Sequence, residues 1–243
     1  MTGARLLLTR AVLPAALAAA TRHGAPALTA RGPLRRAMPR LSGRGRPGGV
    51  GLTFDDGPDP HGTPAVLAAL AELGWSATFF LLGSQVRRHP EVARSIVAAG
   101  HEVGVHGDDH RNHLTRPAGW VLRDLTRARD DIAQVTGRVP RWFRPPYGVL
   151  SRGSLRAAGT LDLTPVLWTA WGRDWEQTTA PQVLRHLVSG LDDGGTVLLH
   201  DSDCTSTPRS WESTAAVLPL LATELSRRGL VARPLREHLV RRG

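Results

Sequence analysis

The chain has 243 residues, enough for one domain of α/β-barrel size with a sizeable core, and 41% apolar with 21% charged content excludes collagenous, coiled-coil and wholly disordered classes. The formal net charge is +10, but all 31 basic residues are arginine and nine of them fall in residues 1–46, where there is no acid. The other 22 arginines meet 21 acids, so the rest of the chain is nearly neutral and nucleic acid is not an expected partner.

Residues 1–46 read as a basic tail. An apolar run at 11–20 follows a basic start and ends in Ala18-Ala19-Ala20, the small-residue pattern of a secretory cleavage site. The Arg-, Gly- and Pro-rich stretch after Thr21 lacks periodicity, as a disordered linker does. An export signal, which would place the protein at the cell envelope or outside it, and an uncleaved cytoplasmic tail both fit this stretch. Elsewhere Arg or Pro interrupts each apolar stretch before the roughly 18–20 residues of a membrane span. The single cysteine, Cys204, excludes an internal disulfide framework and a cysteine-rich zinc site.

From Gly49 onward, β-type runs at 50–55, 77–82, 102–106, 142–144, 163–169, 196–200 and 231–233 alternate with helical patterns at 64–73, 91–99, 120–136, 151–158, 182–191 and 214–228. Thr63-Pro64 is an N-cap with proline at the first helical position. Gly74, Gly100, Gly137, Gly159 and Gly229 each follow a helical pattern, where a left-handed C-terminal cap needs glycine. Alternation predicts a parallel sheet, and about seven such units without a GxGxxG opening predict one closed or nearly closed (β/α) barrel spanning 47–243, with no second domain. Polar residues gather at the C-terminal ends of these strands, the rim where barrel enzymes assemble their sites.

The rim carries the chemistry. Asp55-Asp56 ends the first strand within TFDDGP (53–58), and adjacent carboxylates repel unless positive charge lies beside them; a pair of solvated turn acids is the plainer reading of that motif alone. His106 and His110 have HxxxH spacing after the third strand, which in a helical turn puts both imidazoles on one face for a shared cation; His113 is a competing candidate ligand. Two imidazoles and a carboxylate leave open positions on a divalent metal, the mark of a catalytic site. No Glu follows His106, so this is not a zincin helix, and no HxD run of the non-haem iron type occurs. Arg144, within RPPYG (144–148), has two prolines behind it that limit its freedom, so its guanidinium can be aimed at a carboxylate. Trp168, Trp171 and Trp175 crowd eight residues and suit either a sugar-stacking wall or a structural cluster. His200 ends the apolar run VLLH, placed for proton transfer near neutral pH.

TFDDGP, HxxxH, RPPYG, DW (174–175) and LLHD (198–201), in this order, resemble the five motifs of the polysaccharide deacetylase family (carbohydrate esterase family four, the NodB homology domain) over residues 49–239. The resemblance implies a distorted (β/α)7 barrel that hydrolyses N-acetyl, sometimes O-acetyl, groups of carbohydrates with a divalent metal, commonly Zn2+, with Co2+, Ni2+ and Mn2+ as alternatives. By position it implies Asp56, His106 and His110 as metal ligands, Asp55 as the base, and Arg144 as the residue that holds the base. It implies that the Tyr147 backbone N–H helps receive the oxyanion, that Asp174 tunes the acid histidine His200, and that Trp175 and Leu198 line the substrate and acetyl pockets. The expected partner is an acetylated carbohydrate, with the protein a monomer. Two positions depart from the family pattern: Gly107 stands where Ser or Thr usually follows the first histidine, which puts the loop's rigidity in doubt, and Trp171 stands where an acid often precedes the Asp-Trp pair, which puts the substrate groove in doubt. The alternatives are a metal amidohydrolase acting on a ureide or cyclic imide and a carbohydrate-binding relative without turnover.

Overall fold

The computed structural model describes Thr21, residues 23–30 and residues 37–239. Strand β1 (Gly49–Asp55) leads through α1 (Gly62–Glu72) to β2 (Thr78–Leu81), and α2 (Gly83–Arg88) and α3 (Pro90–Ala98) lead to β3 (Glu102–Val105). Next come α4 (Ala118–Thr136), β4 (Trp142–Phe143), α5 (Arg152–Thr160), β5 (Thr164–Pro165) and β6 (Ala170–Trp171). The chain ends with α6 (Ala180–Gly190), β7 (Thr196–His200), α7 (Trp211–Arg227), β8 (Val231–Arg233) and α8 (Leu235–His238).

The strands form one parallel sheet in the order β5-β4-β3-β2-β1-β7-β6, with β8 added against the first residues of β1. Helices cover the sheet, so β1 is buried at every residue and reads as a continuous apolar run rather than an alternating one. Among the described residues β5 and β6 share no ladder, so the sheet curls into a distorted barrel with one open seam. Register sets the rim level: Asp55 of β1 lies opposite both Phe80 of β2 and His200 of β7, and Val105 of β3 lies opposite Phe143 of β4. Residues 55, 106, 144 and 200 therefore emerge at one end.

Of the predicted strand at 163–169 only the two-residue β5 forms, on β4, and β6 begins just past the run, on β7 at the opposite edge. Between them the backbone crosses the seam: the Leu167 N–H donates to the Leu41 carbonyl, while the carbonyls of Val166 and Leu167 accept from Arg144 instead of from a neighbouring strand. Helix α2, absent from the sequence reading, is a single short piece with Gly83 and Ser84 N–H groups bonded to the carbonyls of Gly107 and Asp108. Gly137 caps α4 in the left-handed region as expected, whereas Gly159 stays inside α5, which runs on to Thr160.

The expected structureless tail ends sooner than residue 46. Ser42 is buried, Gly45 donates to the Gly194 carbonyl, and Thr196 and His238 both bond the Gly43 carbonyl, so this segment closes the base of the barrel. The signal-like run at 11–20 lies outside the described residues, among which no helix is long and apolar enough to cross a membrane.

Phe79, fully buried, stacks on Phe54 at 5.0 Å between ring centroids in the layer between sheet and helices. Phe79→Ala is expected to cost about 3–5 kcal/mol, read as a lower denaturation midpoint with an unchanged slope.

Candidate metal centre and active site

Two neighbouring carboxylates are given different surroundings by one backbone step. Asp55 is the last residue of β1, and Asp56 turns into the left-handed region at φ 77°, which sends the two side chains to different partners. Asp55 Oδ1 accepts from Arg144 Nη1 at 2.7 Å. Arg144 is wholly buried, and its guanidinium also donates to Thr53 Oγ1 (2.8 Å), the Leu167 carbonyl (2.9 Å) and the Val166 carbonyl (3.3 Å) while lying 4.2 Å over the Phe80 ring. Burial pulls the guanidinium's pKa down against the Asp55 carboxylate that raises it.

Asp56 Oδ2 accepts the Thr205 hydroxyl at 2.6 Å. Its Oδ1 is buried without a hydrogen-bond partner, 3.4 Å from His106 Nε2 and 3.6 Å from His110 Nε2. His106 Nδ1 lies 2.8 Å from the Arg144 carbonyl; since a carbonyl only accepts, Nδ1 carries the proton in the neutral ring and Nε2 keeps its lone pair toward Asp56. Burial, outweighing the nearby carboxylates, holds His110 down to about 4, so it is a neutral donor at pH 7. Burial pushes the Asp56 carboxyl up, yet the His106 and His110 rings beside it prevail and hold it below its ordinary value. Two donors about 2.1 Å from a tetrahedral zinc ion lie roughly 3.4 Å apart, close to the separations seen here. An orphaned buried carboxylate oxygen between two imidazole Nε2 atoms thus fits a divalent cation. Among the described residues no other group of three His, Cys, Asp or Glu side chains converges this way.

The histidines sit on a loop, not on the helical turn that their spacing suggests: Gly107 has φ 97° and His110 φ 51°. A side chain at 107 would be strained, and its Cβ would lie 3.2 Å from Asp124 Oδ2. That carboxylate instead accepts the Asp108 N–H at 3.2 Å, and Asp108 makes a two-pronged pair with Arg87 of α2. The rigidity that Gly107 put in doubt is supplied by α2 and α4. His113 is not a ligand: it is buried between Asp124 and Ser154 and stacked on Phe143, bracing the loop from behind.

Across the rim, His200 Nδ1 donates to Asp174 Oδ1 at 2.9 Å, while Asp174 Oδ2 accepts the His200 N–H and the Thr214 hydroxyl, both at 2.6 Å. Burial works against charge on His200, but Asp174, together with Asp56 and Asp55, outweighs it and the imidazole is raised to about 9. Asp201 turns away, accepting from Thr63 Oγ1 at 2.5 Å, and burial pushes its carboxyl up to about 7. Cys204 is exposed, with its thiol directed at the Asp56 carbonyl.

One cavity of about 320 Å³ is lined by Asp55, Asp56, His106, His110, Tyr147, Trp175, Leu198 and His200, with Gly148, Trp168, Trp171, Thr205 and Ser206 completing it. Of the residues singled out for the site, Arg144 and Asp174 alone stand behind this lining, each bonded to a residue within it. Tyr147, at φ 60° and 60% exposed, meets His110 in a tilted contact at 4.5 Å between ring centroids. Sequence reasoning missed Thr205, which lies in a loop with no motif or periodicity to flag it, and Thr53, which stood unremarked inside TFDDGP.

Fold and cavity together define a distorted (β/α) barrel with a cluster of acids and imidazoles at the rim of its sheet. A family profile described as polysaccharide deacetylase matches residues 42–166. A chitooligosaccharide deacetylase of Azorhizobium caulinodans is 32% identical over 191 residues, covering 76% of this chain and 91% of that protein. A peptidoglycan-N-acetylglucosamine deacetylase of Bacillus cereus is 32% identical over 183 residues, covering 74% and 83%. The structure of BA3943, a CE4 family pseudoenzyme from Bacillus anthracis, superposes with a TM-score of 0.74 at 27% identity, covering 80% of this chain and 66% of that one. The chain belongs to the polysaccharide deacetylase family.

Thr205→Val leaves Asp56 Oδ2 without its hydroxyl donor and is expected to weaken Zn2+ binding about 10–100-fold, measured by calorimetric titration. His106→Ala, tested in the same way, should lose binding.

Proposed function

We propose that this protein is a metal-dependent deacetylase that removes N-acetyl groups from an amino-sugar glycan and releases acetate. The observation that carries the reading is that a carboxylate held by Arg144 and an imidazole held by Asp174 line one cavity together with the Asp56, His106 and His110 cluster. Relatives named for chitooligosaccharide and peptidoglycan substrates support the glycan class, and Zn2+ suits the donor set best. A pseudoenzyme on this fold means that family membership alone does not make a catalyst. In favour of turnover here, Asp55, His200 and the Asp56, His106 and His110 cluster all line the same cavity.

A bound divalent cation would polarise the scissile carbonyl and make the attacking water more acidic. Asp55 is the base: Arg144 occupies Oδ1 and leaves Oδ2, 3.8 Å from His106 Nε2, to take the water's proton. The Tyr147 backbone N–H helps receive the developing oxyanion, a contribution of about 3 kcal/mol for such a donor. Leu198, buried at the cavity wall, limits the acyl group to something small. His200 delivers its Nε2 proton to the departing amine, which is too basic to leave as an anion, and Asp174 fixes the ring and supports its charge.

Asp55→Asn is expected to lower acetate release from N-acetylglucosamine oligomers by about 10²–10⁴-fold while one Zn2+ per chain still binds. Full activity in that variant would refute the assigned base. The acid role also fixes the sign of the pH dependence. Activity that requires protonated His200 is present at lower pH and falls as pH rises toward about 9, and the positive charge of a bound cation moves this limb lower. Asp174→Asn removes the charge that raises His200, so the alkaline limb of kcat/KM should shift to lower pH.

A further inference from the structure

The aromatic side of the cavity continues past the reacting groups. Trp168 is nearly buried under Gly148, where an added Cβ would lie 2.6 Å from the indole. Its ring meets Trp171 at 5.7 Å between centroids; Trp171 stacks on Trp175 at 4.2 Å and 19°, and Trp175 turns its edge to His200 at 5.9 Å. The three indoles form a row from the cavity floor to the acid histidine. Trp171 is the member left open, 38% exposed at the end of β6, with Trp175 covering one part of its surface.

A cavity of about 320 Å³ is at the lower end of small-ligand sites, which run ~300–1,000 Å³, so it suits one acetylated ring. The next sugar of a chain must then lie on the rim. A pyranose with equatorial substituents presents a flat face of C–H groups, and a rigid indole gives such a face apolar contact at little conformational cost. An acid at this position could offer only a hydrogen bond in competition with water.

We propose that Trp171 is the stacking platform for the neighbouring pyranose of the glycan, and so a specificity-determining residue that favours oligomers over single acetylated units. The inference rests on the deacetylase reading and identifies what selects chain length within it. Trp175, already covered by Trp171 and edge-on to His200, supports the platform from behind.

The test compares the parent protein with Trp171→Ala and Trp171→Phe on two zinc-loaded reactions: acetate release from the N-acetylglucosamine tetramer, and hydrolysis of 4-nitrophenyl acetate, which needs only the acetyl pocket. The alanine variant should lose at least tenfold more in kcat/KM on the tetramer than on the small ester, mainly through KM, with the phenylalanine variant largely restored. Tetramer binding measured by calorimetry in an Asp55→Asn background should weaken in step. Equal loss on both substrates, unchanged tetramer turnover and binding, or a gain on removing the indole each overturns the proposal. If the parent turns over the ester but not the tetramer, the deacetylase reading fails, and the calorimetric comparison decides the role of Trp171 separately.

Discussion

The guanidinium of Arg144 is the tie on which the rest of the structure depends. A wholly buried cation survives only if its donors are matched, and here they are matched by groups from two places: Asp55 and Thr53 on β1, and the two carbonyls where the chain crosses the seam between β5 and β6. The carbonyl of the same residue orients His106. One side chain and its backbone thus link the barrel's seam, the proposed base and one side of the metal-fitting cluster. Removing it would leave Asp55 buried and uncompensated, the costly way to break such a pair, at about 3–5 kcal/mol. Both conserving the fold's closure and arming the site fall to the same contact.

Environment, rather than residue type, divides the labour among the rim's acids. Asp55 faces an arginine, Asp56 faces two imidazoles and a threonine, and Asp174 is saturated by one histidine and one threonine hydroxyl. Each has its own set of partners, so the three carboxylates are held apart by separate contacts. The centre between Asp55, Asp56, His106 and His110 calls for positive charge. Without a metal, burial opposes charging His106, yet the two carboxylates raise its pKa; a cation supplies the same compensation without a proton and leaves both imidazoles as ligands.

Much of this site was legible because strand ends are where barrels display polar residues, and TFDDGP, HxxxH, RPPYG and LLHD are short enough for sequence adjacency to carry the geometry. The failures have physical causes. The run at 163–169 is apolar enough to be a strand, but its central carbonyls are committed to Arg144, a contact made at long sequence separation. HxxxH spacing suggests a helical turn only when the backbone is helical, and Gly107 and His110 both leave that region. His113 looked like a ligand because imidazoles look alike in a sequence; burial against Asp124 and Phe143 decides otherwise. Thr205 and the loop-bracing α2 contribute through hydroxyl and backbone contacts that leave no periodic trace.

The central claim is that Asp56, His106 and His110 hold one divalent ion beside Asp55. Anomalous diffraction from crystals grown with zinc tests it most directly. A single strong peak about 2.0–2.2 Å from Asp56 Oδ1 and from both Nε2 atoms, with Asp55 still paired to Arg144, is the predicted result. Saturating zinc with no peak in this cavity, or one ligated by Asp55 in place of Asp56, would contradict it.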